Sequence, residues 1–503
     1  MFSFTNLFSS FKSPVRQREA SDAASLVQTQ QHQRAVEKTA ETNEQGLAPQ
    51  DTNTSNPESQ VVQAAENDVF GNEDGAEVHY KTCKWWHTGV LMLAENVSLG
   101  VLALPQALAI LGLVPGLLCI FFLGIIATYT GWIIGEFRLA HPSVQSFADC
   151  GMLIAGPVGM WIMAVGQVLI LIFIMGAHIL SFSIAMNAIT GHVMCTIVWN
   201  VIGLVLCFAL GLPRTFKNVS YLSVFSCLSI IVAVLVAMIA IGIQKPDMAS
   251  ILAVRPDVPL ITGLGPVLNI ILAYTGHVAY FSFHAELKNP RDFTKALLLE
   301  QTLAVLFYMT ISVVIYYYAG PLVASPALGS ASPLVTKITF GIALPTIIVA
   351  GVVNGSVATK YMYFKLWSGS DTVSKNNFKS LSSWYGICAG SWFVSWILAE
   401  SIPSFNLFLS LIGALFGSMF SYAIPPCLWL YQHRAKWFST RGKTIMMIVN
   451  FVVVILGLII FVLGMWASGT EMHRGTGGKV FSCGNNWKPR SWATGDEGVT
   501  GAH

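Results

Sequence analysis

From about residue 80 onward, long apolar runs alternate with short polar stretches. Eleven runs reach the roughly 20 residues that a membrane-crossing helix needs. They lie at 88–110, 113–136, 158–187, 193–212, 220–243, 262–285, 297–319, 338–358, 383–402, 405–430 and 445–467. The pattern predicts an all-α polytopic membrane domain over residues 81–468. The first run contains a fault. Between Ala94 and Pro105 it holds a carboxylate (Glu95), an amide (Asn96), a hydroxyl (Ser98), a glycine (Gly100) and a proline. Polar groups in hydrocarbon are costly, and irregular backbone at that depth survives only where protein or a water-filled cavity surrounds it. The stretch therefore predicts a broken helix that faces a cavity.

The sixth run carries a matching fault. It reads Gly263-Leu264-Gly265-Pro266, then Asn269, then Ala273-Tyr274-Thr275-Gly276-His277, and leaves through His284-Ala285-Glu286-Leu287-Lys288-Asn289-Pro290. The two faults fall in spans one and six, an odd offset of five, so the two helices cross in opposite senses. Interrupted segments at corresponding places in two inverted halves point to a transporter binding site at the midplane. Where a helix unwinds, one half offers free amides and a positive dipole end, and the other offers free carbonyls. A zwitterionic amino acid fits both ends. Its carboxylate is expected at the segment Asn96, Val97, Ser98, Leu99 and Gly100, above all at the last three amides. Its ammonium is expected at the carbonyls of Tyr274, Thr275 and Gly276. Gly100 reads as the residue that lets backbone approach a ligand closely.

The bulk numbers agree with a bilayer protein. Of 503 residues, 54% are hydrophobic and only 11% charged, with a mean hydropathy of +0.62; soluble domains carry about 25% charged residues. No dense basic face suggests nucleic acid. With the N-terminus in the cytoplasm, sixteen Lys and Arg fall in the inner loops and three in the outer ones, a strong positive-inside bias. Residues 1–80, rich in Gln, Ser, Thr, Asn and Glu, read as a disordered cytoplasmic tail. Residues 469–503 read as a short extracytoplasmic tail. The sequons at Asn53, Asn96, Asn218 and Asn354 all fall inside the cell or the membrane by this topology. Five of the nine cysteines (Cys119, Cys195, Cys207, Cys227 and Cys427) lie in apolar runs and read as packing residues, with no disulfide or metal framework. No cofactor, metal or catalytic residue is implied.

Several residues resemble a known family. Asn96-Val97-Ser98-Leu99-Gly100 followed by Leu102-Ala103-Leu104-Pro105 resembles the first-span motif of the amino acid/auxin permeases. Gly276-His277, with Glu286 through Pro290, resembles that family's sixth span and its exit. Tyr129-Thr130-Gly131, Leu212-Pro213-Arg214 and Ile424-Pro425 also fit. The resemblance covers roughly residues 80 to 470 and is greatest to fungal neutral amino-acid permeases of the N-system type. It implies a five-plus-five inverted-repeat fold with discontinuous helices 1 and 6, an eleventh span, and secondary active transport of amino acids. It favours the plasma membrane, with the vacuolar membrane as the alternative. This chain departs from the family at Ser98-Leu99-Gly100, where many members have Gly-x-Gly.

Glu95, about 10 Å into its span, is a candidate proton carrier or cation ligand; a structural carboxyl bonded to a neighbouring helix is the competing reading. His277 is a candidate proton relay, set against a structural histidine, and His178 reads as structural. In the related sodium-coupled fold, hydroxyls of span eight and carbonyls of span one hold a sodium ion. Ser356 and Thr359, three residues apart on span eight, are the counterparts the resemblance implies. Lys360 beside them either replaces that ion or, as favoured here, snorkels to the surface. Glu95, His277 and the resemblance favour protons as the coupling ion. An amino-acid sensor with a transporter fold and a polytopic enzyme such as an acyltransferase are the competing function classes. The enzyme lacks a His/Asn or His/Asp pair at a membrane face.

Overall fold

The computed structural model describes residues 83–213, 219–247, 250–367, 378–475 and 478–487, so the N-terminal tail lies outside the described residues. All eleven apolar runs are helical. The first is split into α1 (Trp85–Asn96) and α2 (Leu104–Leu111). Then come α3 (Leu113–Ala140), α4 (Phe147–Thr190), α5 (Thr196–Gly211) and α6 (Val219–Gln244). The sixth run is split into α7 (Leu260–Ala273) and α8 (His277–Ala285). After it follow α9 (Phe293–Ala319), α10 (Pro333–Leu366) and α11 (Phe378–Ser401). The tenth run comprises α12 (Phe405–Ile412), a π-helical stretch over Gly413–Ala423 and α13 (Ile424–Gln432); α14 (Arg441–His473) closes the bundle. Counting the bent α1–α2 pair as one span, nine of the described spans are long and apolar enough to cross a membrane. The 16-residue α5 and the 24-residue α11 are the two runs that fall outside that set.

The breaks have local causes. Between α1 and α2 the chain bends by 49°. Pro105 sits in the first turn of α2, where its missing N–H costs nothing. The 44 residues of α4 would extend about 66 Å as one rod. They are instead two helices joined at Ala155 and Gly156, where Gly156 takes φ +64° just before Pro157. The second of these matches the predicted third span.

Contacts between helices then place the two broken spans. Before α1, Cys83 forms an isolated bridge with Leu287, just past α8. Its amide donates to the Glu286 carbonyl at 3.1 Å, and its carbonyl accepts from the Lys288 amide at 2.9 Å. The start of the first broken span is thus tied to the end of the other. Helix α9 packs along α1, α2 and α3, and α10 packs against α4 and α6. The π-helical stretch of the tenth span lies against α7 and α14. There Gly413 approaches the Leu268 carbonyl so closely that a Cβ would sit 2.2 Å from its oxygen. Extra-residue turns of this type recur at functional sites.

One reading from sequence is corrected. Cys195 is not a packing residue: it forms a disulfide with Cys483. The reason is positional, since Cys195 caps the start of α5 at a loop rather than lying inside a span. The bond anchors the segment 478–487 over the end of the bundle opposite the start of α1. Thr196 Oγ1 donates to the Gly484 carbonyl at 2.7 Å, and Asn187 Nδ2 donates to Asn486 Oδ1 at 2.8 Å. Trp487 seats edge-on to Phe340 at 5.5 Å, over Gly329, whose position has no room for a side chain. Trypsin cutting after Arg474 should therefore leave the Cys483 peptide attached until a reductant is added. Mass spectrometry of the digest reads this, and release without reductant would contradict the tether.

Candidate substrate site

At the α1–α2 break the backbone groups are left open. The Val97 amide still donates to the Leu93 carbonyl at 2.8 Å, and the Ser98 amide turns back to the Asn96 carbonyl at 3.0 Å. Beyond that, a single 3₁₀ turn runs over Gly100–Leu102. Among the described residues, no backbone acceptor meets the amides of Leu99, Gly100 or Val101, and no amide donates to the carbonyls of Ala94 and Glu95. At the α7–α8 break, the Thr275 amide donates to the Leu272 carbonyl at 2.9 Å and the Gly276 carbonyl accepts from Ala279 at 3.1 Å. The Thr275 carbonyl has no amide donor among the described residues. The first break thus carries open donors and open acceptors, and the second an open acceptor at Thr275.

The two breaks touch. A Cβ on Gly100 would lie 2.8 Å from the Ala273 Cα, and one on Gly276 only 2.3 Å from Asn96 Oδ1. The glycines therefore let the two broken backbones cross, a packing role for Gly100 that the expectation of close approach to a ligand did not include. A cavity of about 70 Å³ lies beside the crossing. From the breaks it is lined by Glu95, Asn96, Ser98, Leu99, Gly100 and Thr275, and from other helices by Ile174, Ala177, His178, Ala350, Asn354, Leu409 and Ile412, with Leu272 beside them. Glu95 bonds to the Asn354 side chain, so α1 and α10 meet across the cavity. His178 Nδ1 donates to the Ile347 carbonyl at 2.8 Å, which leaves Nε2 as the accepting nitrogen. At about 70 Å³ the space is well below the roughly 300 Å³ of an ordinary ligand cleft. A substrate with a bulky side chain needs the walls to part.

Other expected residues lie off the cavity. The Tyr274 side chain points into α3, donating to the Ile120 carbonyl at 3.0 Å. His277 is buried against α3 as well, its Nε2 lying 2.9 Å from Thr130 Oγ1 and 3.0 Å from the Ala127 carbonyl. Val97 is buried in the apolar core. Ser356 and Thr359 are buried on α10 outside the cavity lining, Thr359 next to Cys388 of α11. Lys360 is partly buried, and its charge acts on Glu286.

Three residues gain a place that sequence reasoning did not give them. His178, read as structural, lines the cavity. Glu300, buried on α9, accepts a hydrogen bond from Asn96 Nδ2 and a longer one, 3.4 Å, from the Tyr280 hydroxyl. The Tyr308 hydroxyl, about two turns further along α9, lies 2.9 Å from the Asn96 carbonyl and 3.0 Å from the Ala273 carbonyl. It therefore holds the last turn of α1 and the last turn of α7 with one group. An acid inside the seventh apolar run was a legible signal for Glu300. A tyrosine in such a run carries no comparable mark.

Comparison with known proteins places this architecture among others. The family described as transmembrane amino acid transporter protein matches residues 81–470. An N amino acid transport system protein of Neurospora crassa is 34% identical over 412 residues, covering 79% of this chain and 88% of the relative. A transmembrane transporter of Gibberella moniliformis is 28% identical over 429 residues, covering 82% and 90%. The amino acid transporter AVT1B of Arabidopsis thaliana is 23% identical over 386 residues, covering 74% and 68%. Among solved structures, a Na⁺-coupled sialic acid symporter in a substrate-bound outward-open state overlays with a TM-score of 0.47 at 12% identity, over 78% of this chain and 90% of that one.

The crossing of the breaks is open to direct test. Gly276→Ala forces a Cβ into the Asn96 amide, and overpacking of this kind costs about 1–3 kcal/mol. Its melting temperature in detergent should fall, whereas Gly265→Ala, whose Cβ would meet no atom within 4 Å, should leave it unchanged. Equal melting of the two variants would sink this account. Tyr308→Phe takes the donor from two buried carbonyls and should cost about 1–3 kcal/mol; wild-type melting in that variant would remove the clamp.

Proposed function

Because the chain belongs to the transmembrane amino acid transporter family, we propose that it moves neutral amino acids by proton-driven secondary transport with alternating access. The observation that carries this reading is the pair of crossed breaks, whose open amides and carbonyls match the two charges of a zwitterion. The substrate carboxylate binds the amides of Leu99, Gly100 and Val101, with Ser98 beside them. The ammonium binds the acceptor end of α7 at Thr275. Apart from Glu95, which is engaged by Asn354, the lining carries no charged side chain. That composition suits neutral substrates, since a charged side chain would be desolvated there without a partner.

Glu95 is the proton carrier in this reading. It lies in the cavity wall, where substrate and proton can be sensed together, and Asn354 gives it a partner in either protonation state. His277 acts at one remove, holding α8 against α3 through Thr130. A sodium-driven cycle is the second reading, and one observation favours keeping it: Ser356 Oγ is buried with no hydrogen-bond partner among the described residues. Thr359 would join it. The charge distribution supports a cytoplasmic N-terminus, and it puts the disulfide-tethered segment 478–487 outside, where disulfides persist.

Uptake of radiolabelled neutral amino acids into proteoliposomes separates these readings. An inward proton gradient should drive accumulation, and a sodium gradient alone should not. Accumulation under sodium alone would overturn proton coupling; saturable binding with no uptake under either gradient would identify a sensor. Glu95→Gln should abolish pH-driven accumulation while keeping exchange of labelled for unlabelled substrate. Unchanged accumulation in that variant would make Glu95 structural.

A further inference from the structure

A second cavity, much larger than the one at the breaks, lies elsewhere in the described residues. It measures about 650 Å³ and lies at the end of the bundle covered by the tethered segment, inside the range of about 300–1,000 Å³ typical of ligand sites. Its walls come from α2, α4, α5, the loops before α10 and α12, and residues 478–487. Two of its lining side chains are charged, Glu400 at the end of α11 and Lys479 on the covering segment. Glu400 is 2% exposed, and it accepts from Asn200 Nδ2 at 3.0 Å. A carboxylate has about four acceptor positions, so Glu400 retains capacity toward the cavity. Asn200, also 2% exposed, has its Oδ1 buried with no partner among the described residues.

Glu400 therefore keeps acceptor capacity next to Asn200, whose Oδ1 is unpartnered, and a cation shares the same chamber. A buried carboxylate is tolerated when an opposite charge and hydrogen-bond donors reach it. We propose that this chamber is a second binding site for a zwitterionic amino acid. The ammonium binds Glu400, and the carboxylate binds Lys479. A smaller cavity lies beside the chamber. Gln106 lines the chamber, is hydrogen-bonded to Asn406, and also lines this smaller cavity of about 120 Å³ with Ala103 and Asn269. The tethered segment forms the roof, and the Phe481 amide, bonded to the Glu400 carbonyl at 3.3 Å, joins that roof to the site.

This inference rests on an amino acid being the ligand, and its test separates the two. Equilibrium binding of radiolabelled L-alanine and L-phenylalanine to the purified full-length chain gives the number of molecules bound. Wild type should bind two of at least one of these per chain. Glu400→Gln and Lys479→Gln should each bind one, and Ser98→Trp, which fills the cavity at the breaks, should also bind one. Combining Ser98→Trp with Glu400→Gln should bind none. Lys479 is exposed on the covering segment, so its replacement does not threaten folding. A wild-type stoichiometry of one, or two molecules retained in both Glu400→Gln and Lys479→Gln, would overturn the second site and leave the first intact. No binding of either amino acid by wild type would overturn both.

Discussion

The governing constraint is that backbone ends cannot be left open in a low-dielectric interior without something to meet them. Two helices broken at depth expose several such ends, and α9 meets some of them. Tyr308 reaches the Asn96 and Ala273 carbonyls with one hydroxyl, and Glu300 holds the Asn96 side chain. A hydroxyl has one proton, so it donates fully to one carbonyl at a time. The clamp is thus strong enough to hold the breaks together and simple enough to be exchanged. The amides of Leu99 to Val101 and the Thr275 carbonyl have no backbone partner among the described residues, and these are the groups the proposed function assigns to the substrate.

Close approach is the second requirement, and small residues supply it. Gly100 meets Ala273, Gly276 meets Asn96, and Gly417 meets Thr275 from the π-helical stretch. Across the cavity, Gly351 lets α10 lie against the Cβ of His178. That contact brings Asn354, one turn on, to Glu95. Membrane interfaces favour small residues because dispersion between close backbones replaces the hydrophobic drive that lipid does not provide. Here the same property brings polar backbone from two spans to one point.

Much of this was legible in the sequence, for physical reasons that differ by residue. Both breaks could be read because a carboxylate, an amide and glycines inside apolar runs violate the cost of burying polar groups. The spans could be read because length and hydropathy are local. What pairs across the fold was not local. Tyr308 looks like any tyrosine in an apolar run, and its role exists only because two carbonyls from other helices converge on it. Cys195 was misread because Cys483 lies 288 residues away, and only the tertiary fold brings them together. His277 shows the converse case. It stands next to a break in sequence, yet the start of α8 turns its ring toward α3 rather than the cavity.

The central claim is that the two breaks jointly hold the substrate. Ser98 and Thr275, one from each break, line the same cavity. The most direct measurement is the rate at which a water-soluble thiol reagent modifies Ser98→Cys and Thr275→Cys, with and without a transported neutral amino acid. Protection at both positions, half-maximal at the same amino-acid concentration, is the expected result. Protection at neither, or at one position alone, would contradict a shared site.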